Sequence, residues 1–279
     1  MPFDRRLRRL RRDRAAAGFA DYLHRLAAEE LLDRLDLVKR DFAEALDLGA
    51  AAGLLSRRLR ERGLRVTSAD PGFRFARGLD GVQCDEDRLP FGDRAFDLVT
   101  SVGSLDSVND LPGALTLIRR ALRPDGLFLA ALAGAGSLPK LRRAMAAADE
   151  AEGGASAHIH PQIDVRAAGD LLMRAGFALP VVDVASITVR FADLMALVRD
   201  LRGMAATNIL ASRSRPLGRR GLAAAMAEFA AQADADGRTA ERFEIVYLTG
   251  WAPSPDQPEP ARRGSATASL ASSLGSGRG

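Results

Sequence analysis

The stretch ALDLGAAAGLLSRRL, residues 45–59, decides the fold. An apolar run ends in Asp47, the chain turns on Gly49 and Gly53, and a helical pattern follows at once. Backbone that must approach a ligand closely is built from small residues, and a helix N-terminus beyond such a loop favours polar or anionic groups. Two familiar loops do not match. A triphosphate-binding loop places Lys-Ser/Thr after its last glycine, whereas Leu54-Leu55-Ser56 follows Gly53. A dinucleotide loop reads G-x-G-x-x-G, whereas the spacing here is G-x-x-x-G. What remains is strand, Asp-x-Gly-x-x-x-Gly, helix.

Working outward, the same unit recurs. LLSRRLRERG reads as a helix closed by Gly63, and LRVTSAD as a second strand ending in Asp70. A short strand is expected near GVQCD, ending in the acidic pair Asp85-Glu86. AFDLVTSV is strand-like, and Asn109 or Asp110 is placed to cap a helix over LPGALTLIRRAL. Arg123-Pro124-Asp125-Gly126 reads as a turn into the strand LFLAALA. Helices are expected near 137–151, over VRAAGDLLMRAGF, over 192–202 and over 217–233, with strands at PVVDVASITVR and RFEIVYLTGWA. Strands alternating with helices predict an α/β, Rossmann-like sheet, mostly parallel, with helices on both faces. In such sheets ligands lie at the carboxyl ends of the strands, where Asp47, Asp70 and Asp85-Glu86 all fall. A carboxylate at Asp70 suits a ribose diol, and one at Asp85 or Glu86 suits the amino group of an adenine.

The organisation expected is a basic helical segment over 1–40, one domain over 41–252, and a mostly disordered Pro/Ser/Gly/Ala tail over 253–279. With 47% hydrophobic and 27% charged residues, the balance is that of a globular protein. No apolar run approaches the ~20 residues that span a bilayer. The single cysteine, Cys84, forms no intrachain disulfide and reads as a small buried apolar residue, so a cytoplasmic address is expected. Residues 1–14 hold seven arginines and a net charge of +5, against +4 for the whole chain, so the basicity belongs to one segment. Phe3, Leu7 and Leu10 form an apolar stripe on it, and the expectation is a helix packing that stripe on the domain. An acidic protein or a membrane surface is the alternative partner for the arginines. No aromatic residues interleave with them, so nucleic acid is not expected.

LDLGAAAG, CDEDRLPF, FDLVTSVGSLDSVNDLPGAL, LRPDGLFL and LLMRAGF resemble the successive motifs of class I S-adenosylmethionine-dependent methyltransferases. FDRRLRRLRRDRA, GGASAHIHPQ, LRGMAATN, YLTGW and RRGSATASL are similar to the subgroup containing a mitochondrial complex I assembly factor that hydroxylates an arginine of an iron–sulfur subunit. The resemblance implies a seven-stranded sheet with RFEIVYLTGW as its antiparallel strand. It implies S-adenosylmethionine as cofactor, with the methionine end against Asp47, Gly49, Ala50, Ala51 and Gly53. The ribose would lie on Asp70, the adenine beside Asp85 and Glu86, and the methyl group beside Ser101 and Val102. Its partners would be a complex I iron–sulfur subunit or a small-molecule methyl acceptor.

The sequence departs from that pattern twice. Relatives usually carry glycine where Ala51 stands, tolerable at negative φ and costly at positive φ. They carry a histidine-tryptophan pair where Asp106-Ser107 stand. Methyl transfer asks mainly for alignment, with a base where the nucleophile is protonated, and Asp106 is the weak candidate. His24, His158 and His160 are the only histidines. Loop hydrogen bonding is the default reading of His158-Ile159-His160, and no metal is expected. Three readings follow: a methyltransferase, an arginine hydroxylase or complex I assembly factor on the same fold, and a non-catalytic assembly chaperone.

Overall fold

The computed structural model describes residues 1–212, 216–255 and 257. Seven strands form one sheet in the order β3-β2-β1-β4-β5-β7-β6. They are β1 (Glu44–Leu48), β2 (Arg65–Asp70), β3 (Val82–Gln83), β4 (Phe96–Val102), β5 (Leu122–Ala133), β6 (Ala178–Phe191) and β7 (Thr239–Trp251). The pairs β1–β2, β2–β3, β1–β4 and β4–β5 are parallel; β7 is antiparallel to β5 and to β6, as the resemblance implies. The turn expected at 123–126 lies within β5, with Asp125 at positive φ and the register shifting opposite it, between Phe96 and Leu98.

The helices are α1 (Arg5–Ala15), α2 (Tyr22–Asp36), α3 (Leu54–Glu61), α4 (Phe73–Gly78), α5 (Leu111–Ala121), α6 (Pro139–Glu152), α7 (Val165–Arg174), α8 (Leu194–Gly203) and α9 (Arg219–Ala231). Period-two alternation along the strands feeds a core on each face. Leu46, Leu48, Phe128, Ala130 and Leu132 pack with Leu115 and Ile118 of α5 and Leu172 of α7. Ala45, Leu127, Leu129 and Ala131 pack with Leu31 and Leu35 of α2 and Leu55 and Leu59 of α3. The central strand β4 is buried along its whole length, hence its apolar run. The helix inserted between β5 and α7 meets those inserted between β6 and β7 in a third core, with Leu141, Ala144, Leu197, Leu201 and Phe229 at its centre.

The segment expected over 1–40 is two helices. α2 belongs to the core of the sheet, while α1 crosses the carboxyl ends of the strands. Its start is tied down by Asn109, whose Oδ1 accepts the Phe3 N–H at 2.9 Å and whose amide donates to the Phe3 carbonyl at 3.1 Å. Asp110, not Asn109, caps α5. The tail expected over 253–279, with its RRGSATASL motif, falls beyond the described residues except for 253–255 and 257.

Candidate functional site

Asp47 ends β1 and points inward. Its carboxylate accepts the Ser56 hydroxyl at 2.5 Å and, at the limit of hydrogen-bond length, that of Thr100. Burial holds its proton up to about 6 against those hydrogen bonds, and the negative charge of Asp70 adds to the rise. Gly49 follows at φ +78°, and a β carbon there would lie 2.3 Å from Ser104 Cβ, so this position admits only glycine. Gly49 and Ala50 both donate to the Ala69 carbonyl, stitching the loop to β2. Ala51 sits at φ +45°, the costly case. Its N–H donates to Asp70 at 2.9 Å, and its methyl group packs with Ala15 of α1 and Phe75 of α4. Gly53 opens α3.

Asp70 is fully buried at the end of β2. It accepts the N–H of Ala51 and, at 2.7 Å, that of Gly72. Its remaining acceptor positions are taken by Arg12 of α1, through Nε at 2.8 Å and Nη2 at 2.5 Å. One turn towards the N-terminus of the helix the arrangement repeats. Arg8 forms a fork on Glu86 at 2.6 and 2.8 Å and donates to the Ser104 carbonyl. Arg9 pairs with Asp85 at 2.5 Å, and Arg5 with Asp87 at 2.5 and 2.6 Å. Gly72 permits this approach, since a β carbon there would meet Arg12 Cβ at 2.9 Å.

This corrects the expectation for the N-terminal segment. The face packed on the domain is the arginine face: Arg8 and Arg12 are 5% and 6% exposed, whereas Leu10 of the supposed stripe is 44% exposed. Four arginines for which an acidic protein or a membrane surface was the alternative partner are matched to carboxylates of their own chain. Phe3 alone of the stripe is buried, edge-on to His160.

Ser101 and Val102 end β4, both buried, and the Ser101 hydroxyl has no hydrogen-bond partner. Val102, Gly103 and Asp106 border a cavity of about 510 Å³ between the carboxyl ends of the strands and the third core. His24 of α2 lines it too. Burial, and then the charge of Arg12, push the His24 imidazolium down to about 4, so the ring is neutral near pH 7. Sequence reasoning placed neither His24 nor the arm arginines at this site. The available signal was Arg5, Arg8 and Arg12 at i, i+3 and i+7 against the acidic run 85–87. His158 bonds to Asp149 at 2.9 Å, and His160 Nε2 accepts the Ile209 N–H at 3.0 Å, so the two rings serve different loops. Among the described residues no three His, Cys, Asp or Glu side chains are grouped to hold a metal. Burial pushes the Cys84 thiol up to about 12, which leaves it unreactive.

The residues fit an S-adenosylmethionine-type ligand by the chemistry of their present partners. A guanidinium fork offers a carboxylate two parallel donors, as a ribose diol does, so the Asp70 carboxylate that accepts Arg12 has the chemistry to accept a diol. Ser101 Oγ and Asp85 Oδ1 are buried without hydrogen-bond partners in the same region. Among the described residues no helix is long and apolar enough to cross a membrane.

Comparison with known proteins agrees with this architecture. A methyltransferase domain family model matches residues 11–180. The chain is 36% identical to the mitochondrial arginine-hydroxylase NDUFAF5 of Danio rerio, over 96% of this chain and 88% of that protein. It is 34% identical to the malonyl-[acyl-carrier protein] O-methyltransferase of Laribacter hongkongensis, over 87% of each chain. Among solved structures, the YcgJ protein of Bacillus subtilis superposes with a TM-score of 0.57 at 14% identity, covering 81% of this chain and 99% of that one. A Haemonchus contortus phosphoethanolamine N-methyltransferase 2 bound to S-adenosyl-L-methionine gives 0.50 at 16% identity, covering 81% and 52%. These last two show the fold. With its family match spanning more than half of its length and relatives aligned nearly end to end, the chain belongs to the methyltransferase domain family, on the class I methyltransferase fold.

Proposed function

We propose that the cleft beneath α1 binds S-adenosylmethionine and that the protein transfers its methyl group to an acceptor in the adjoining cavity. The observation that carries this is the convergence of Asp47, Gly49, Ala51, Asp70 and Glu86 on one buried cluster beneath α1, where Asp70 and Glu86 already accept the guanidinium forks of Arg12 and Arg8. Asp70 would take the ribose hydroxyls, Asp85 and Glu86 the adenine edge, and Asp47 with the Gly49–Gly53 loop the methionine end. The bound cofactor supplies a methyl group activated on a sulfonium. The chain supplies alignment, through the Val102–Gly103 end of β4, and proton acceptors at the cavity wall, the neutral His24 ring and the Asp106 carboxylate.

Arg12 and a ribose cannot share Asp70, so cofactor entry requires α1 to release it. Micromolar binding by calorimetry is expected for the wild type, and Arg12→Met should tighten it about tenfold, the equivalent of ~1.4 kcal/mol. No heat with either protein would sink the cofactor assignment and bring forward a non-catalytic assembly role.

Arginine hydroxylation is the second reading, favoured by the near end-to-end match to NDUFAF5 proteins. Its mark is a +16 Da product on an arginine of a complex I iron–sulfur subunit, in place of +14 Da and release of S-adenosylhomocysteine. We propose a cytoplasmic location for either activity.

A further inference from the structure

The cavity of about 510 Å³ has a chemistry of its own that does not depend on the methyl-transfer reading. Its size is that of a pocket for a small organic ligand, which typically runs from roughly 300 to 1,000 Å³. Its body is apolar: Leu23 of α2, Met145 of α6, Val198 and Leu201 of α8, and Phe243 of β7 line it. A guanidinium or a peptide backbone would lose its hydrogen bonds among such groups.

Charge at the rim is unevenly matched. Asp106 lies in the field of Arg8, and Glu244 accepts the Gly136 N–H at 2.9 Å. Neither of these carboxylates is in an ion pair among the described residues, and the unpaired cations gather at another stretch of the wall, where Arg11 lies in the field of Arg202. Arg202 lines the cavity, and among the described residues no carboxylate lies within ion-pair distance of it or of Arg11. Arg11 donates to Thr207, another lining residue, while its Nε is buried without a partner. Burial and the like charges of Arg14 and Arg202 push the Arg11 guanidinium below its ordinary range. Arg202 is exposed and Arg11 half-buried, so their two like charges remain solvated on one side and attract an anion at this part of the wall.

We propose that this cavity binds a small amphipathic anion, its hydrocarbon body among Leu23, Met145 and Phe243 and its anionic head at Arg202 and Thr207, in the field of Arg11. A free medium-chain carboxylate has this chemistry. The Arg11 contact places the head against the same helix that covers Asp70, so one side of α1 faces each ligand.

The test is titration of the full chain with decanoate, decanol and decyltrimethylammonium, by calorimetry and thermal shift. Decanoate is expected to saturate at one per chain and raise Tm. Arg202→Gln, an exposed and foldable change, should weaken decanoate at least tenfold and leave decanol unchanged. Met145→Trp, which fills the chamber, should remove both, with Leu23→Trp as a second filling variant from another wall. Equal affinity for all three amphiphiles, indifference to Arg202→Gln, or a preference for the ammonium would overturn the proposal. So would capture by anionic phospholipid vesicles without decanoate binding, which would point to a membrane surface. S-adenosylmethionine titration of the same variants is a separate readout, so loss of the cofactor reading and loss of this one are distinguishable.

Discussion

Asp70→Ala is expected to abolish S-adenosylmethionine binding and also to destabilise the fold by about 3–5 kcal/mol, the range for leaving one partner of a buried ion pair alone. A carboxylate that served only a ligand would cost little stability when removed. Here three donors lose their acceptor together: the Ala51 and Gly72 N–H groups and the Arg12 fork. Buried N–H groups left without an acceptor cost roughly 1–3 kcal/mol each. Arg12 then either stays buried and unpaired or carries α1 out into water, and the lower of these two costs sets the total. The converse change is milder. In Arg12→Met, Asp70 keeps two backbone donors, and a loss of about 1–2 kcal/mol is expected from the missing charge-assisted hydrogen bonds. Urea denaturation of the two variants, with proteolysis across residues 5–20, checks the asymmetry. Equal losses would mean that the ion pair, not the backbone cradle, stabilises the loop.

Arg12 and Asp70 also mark where sequence reasoning reached its limit. The alternation of strands and helices was legible because parallel strands buried on both faces are apolar runs, and because each run here stops at Asp or Gly where the chain must turn. Asp47, Asp70 and Asp85-Glu86 were legible as a set for the same reason, since parallel strands put their carboxyl ends on one edge. The arm was misread because an amphipathic helix is ordinarily taken to bury its apolar face. That rule assumes no partner for the charged face, and the partners of Arg5, Arg8, Arg9 and Arg12 stand some 60 to 80 positions away in the chain. Local pattern does not contain them. The choice at Ala51 lay between two signs of φ, which only the backbone decides. The positive value costs roughly 1–2 kcal/mol for a residue with a β carbon, offset in part by ~0.8 kcal/mol for its buried methyl group. The loop therefore keeps the glycine geometry while adding a contact to Ala15 of the arm.

Two large opposing dependences are expected in the stability of the wild-type protein between pH 4 and 6.5, and burial of the His160 imidazolium adds to the one that rises with pH. Asp47 has a raised native pKa, about 6 against an ordinary 3.8. In that interval the native state holds more protons than the unfolded chain, so the contribution of Asp47 is full below pH 4 and is lost as pH rises through 6. His24 has a depressed native pKa, about 4 against 6.5. Here the unfolded chain holds more protons, so the contribution of His24 is full above 6.5 and is lost as pH falls through 4. Each amounts to about 3 kcal/mol at ~1.4 kcal/mol per unit. Asp47→Asn should therefore unmask a rise in stability from pH 4 to 6.5. His24→Gln should unmask a fall from pH 4 to 6, and the double variant should lose both dependences and keep only the rise that His160 contributes. The causes are separable as well. Arg12 contributes to the shift at His24 and Asp70 to the shift at Asp47, so Arg12→Met should shrink the His24 dependence more than the Asp47 one. Urea midpoints at pH 4.5, 5.5, 6.5 and 7.5, at constant ionic strength, measure all five proteins. Single variants whose slopes match that of the wild type would show that the neutral His24 ring and the reluctantly ionised Asp47 are not held as the site geometry requires.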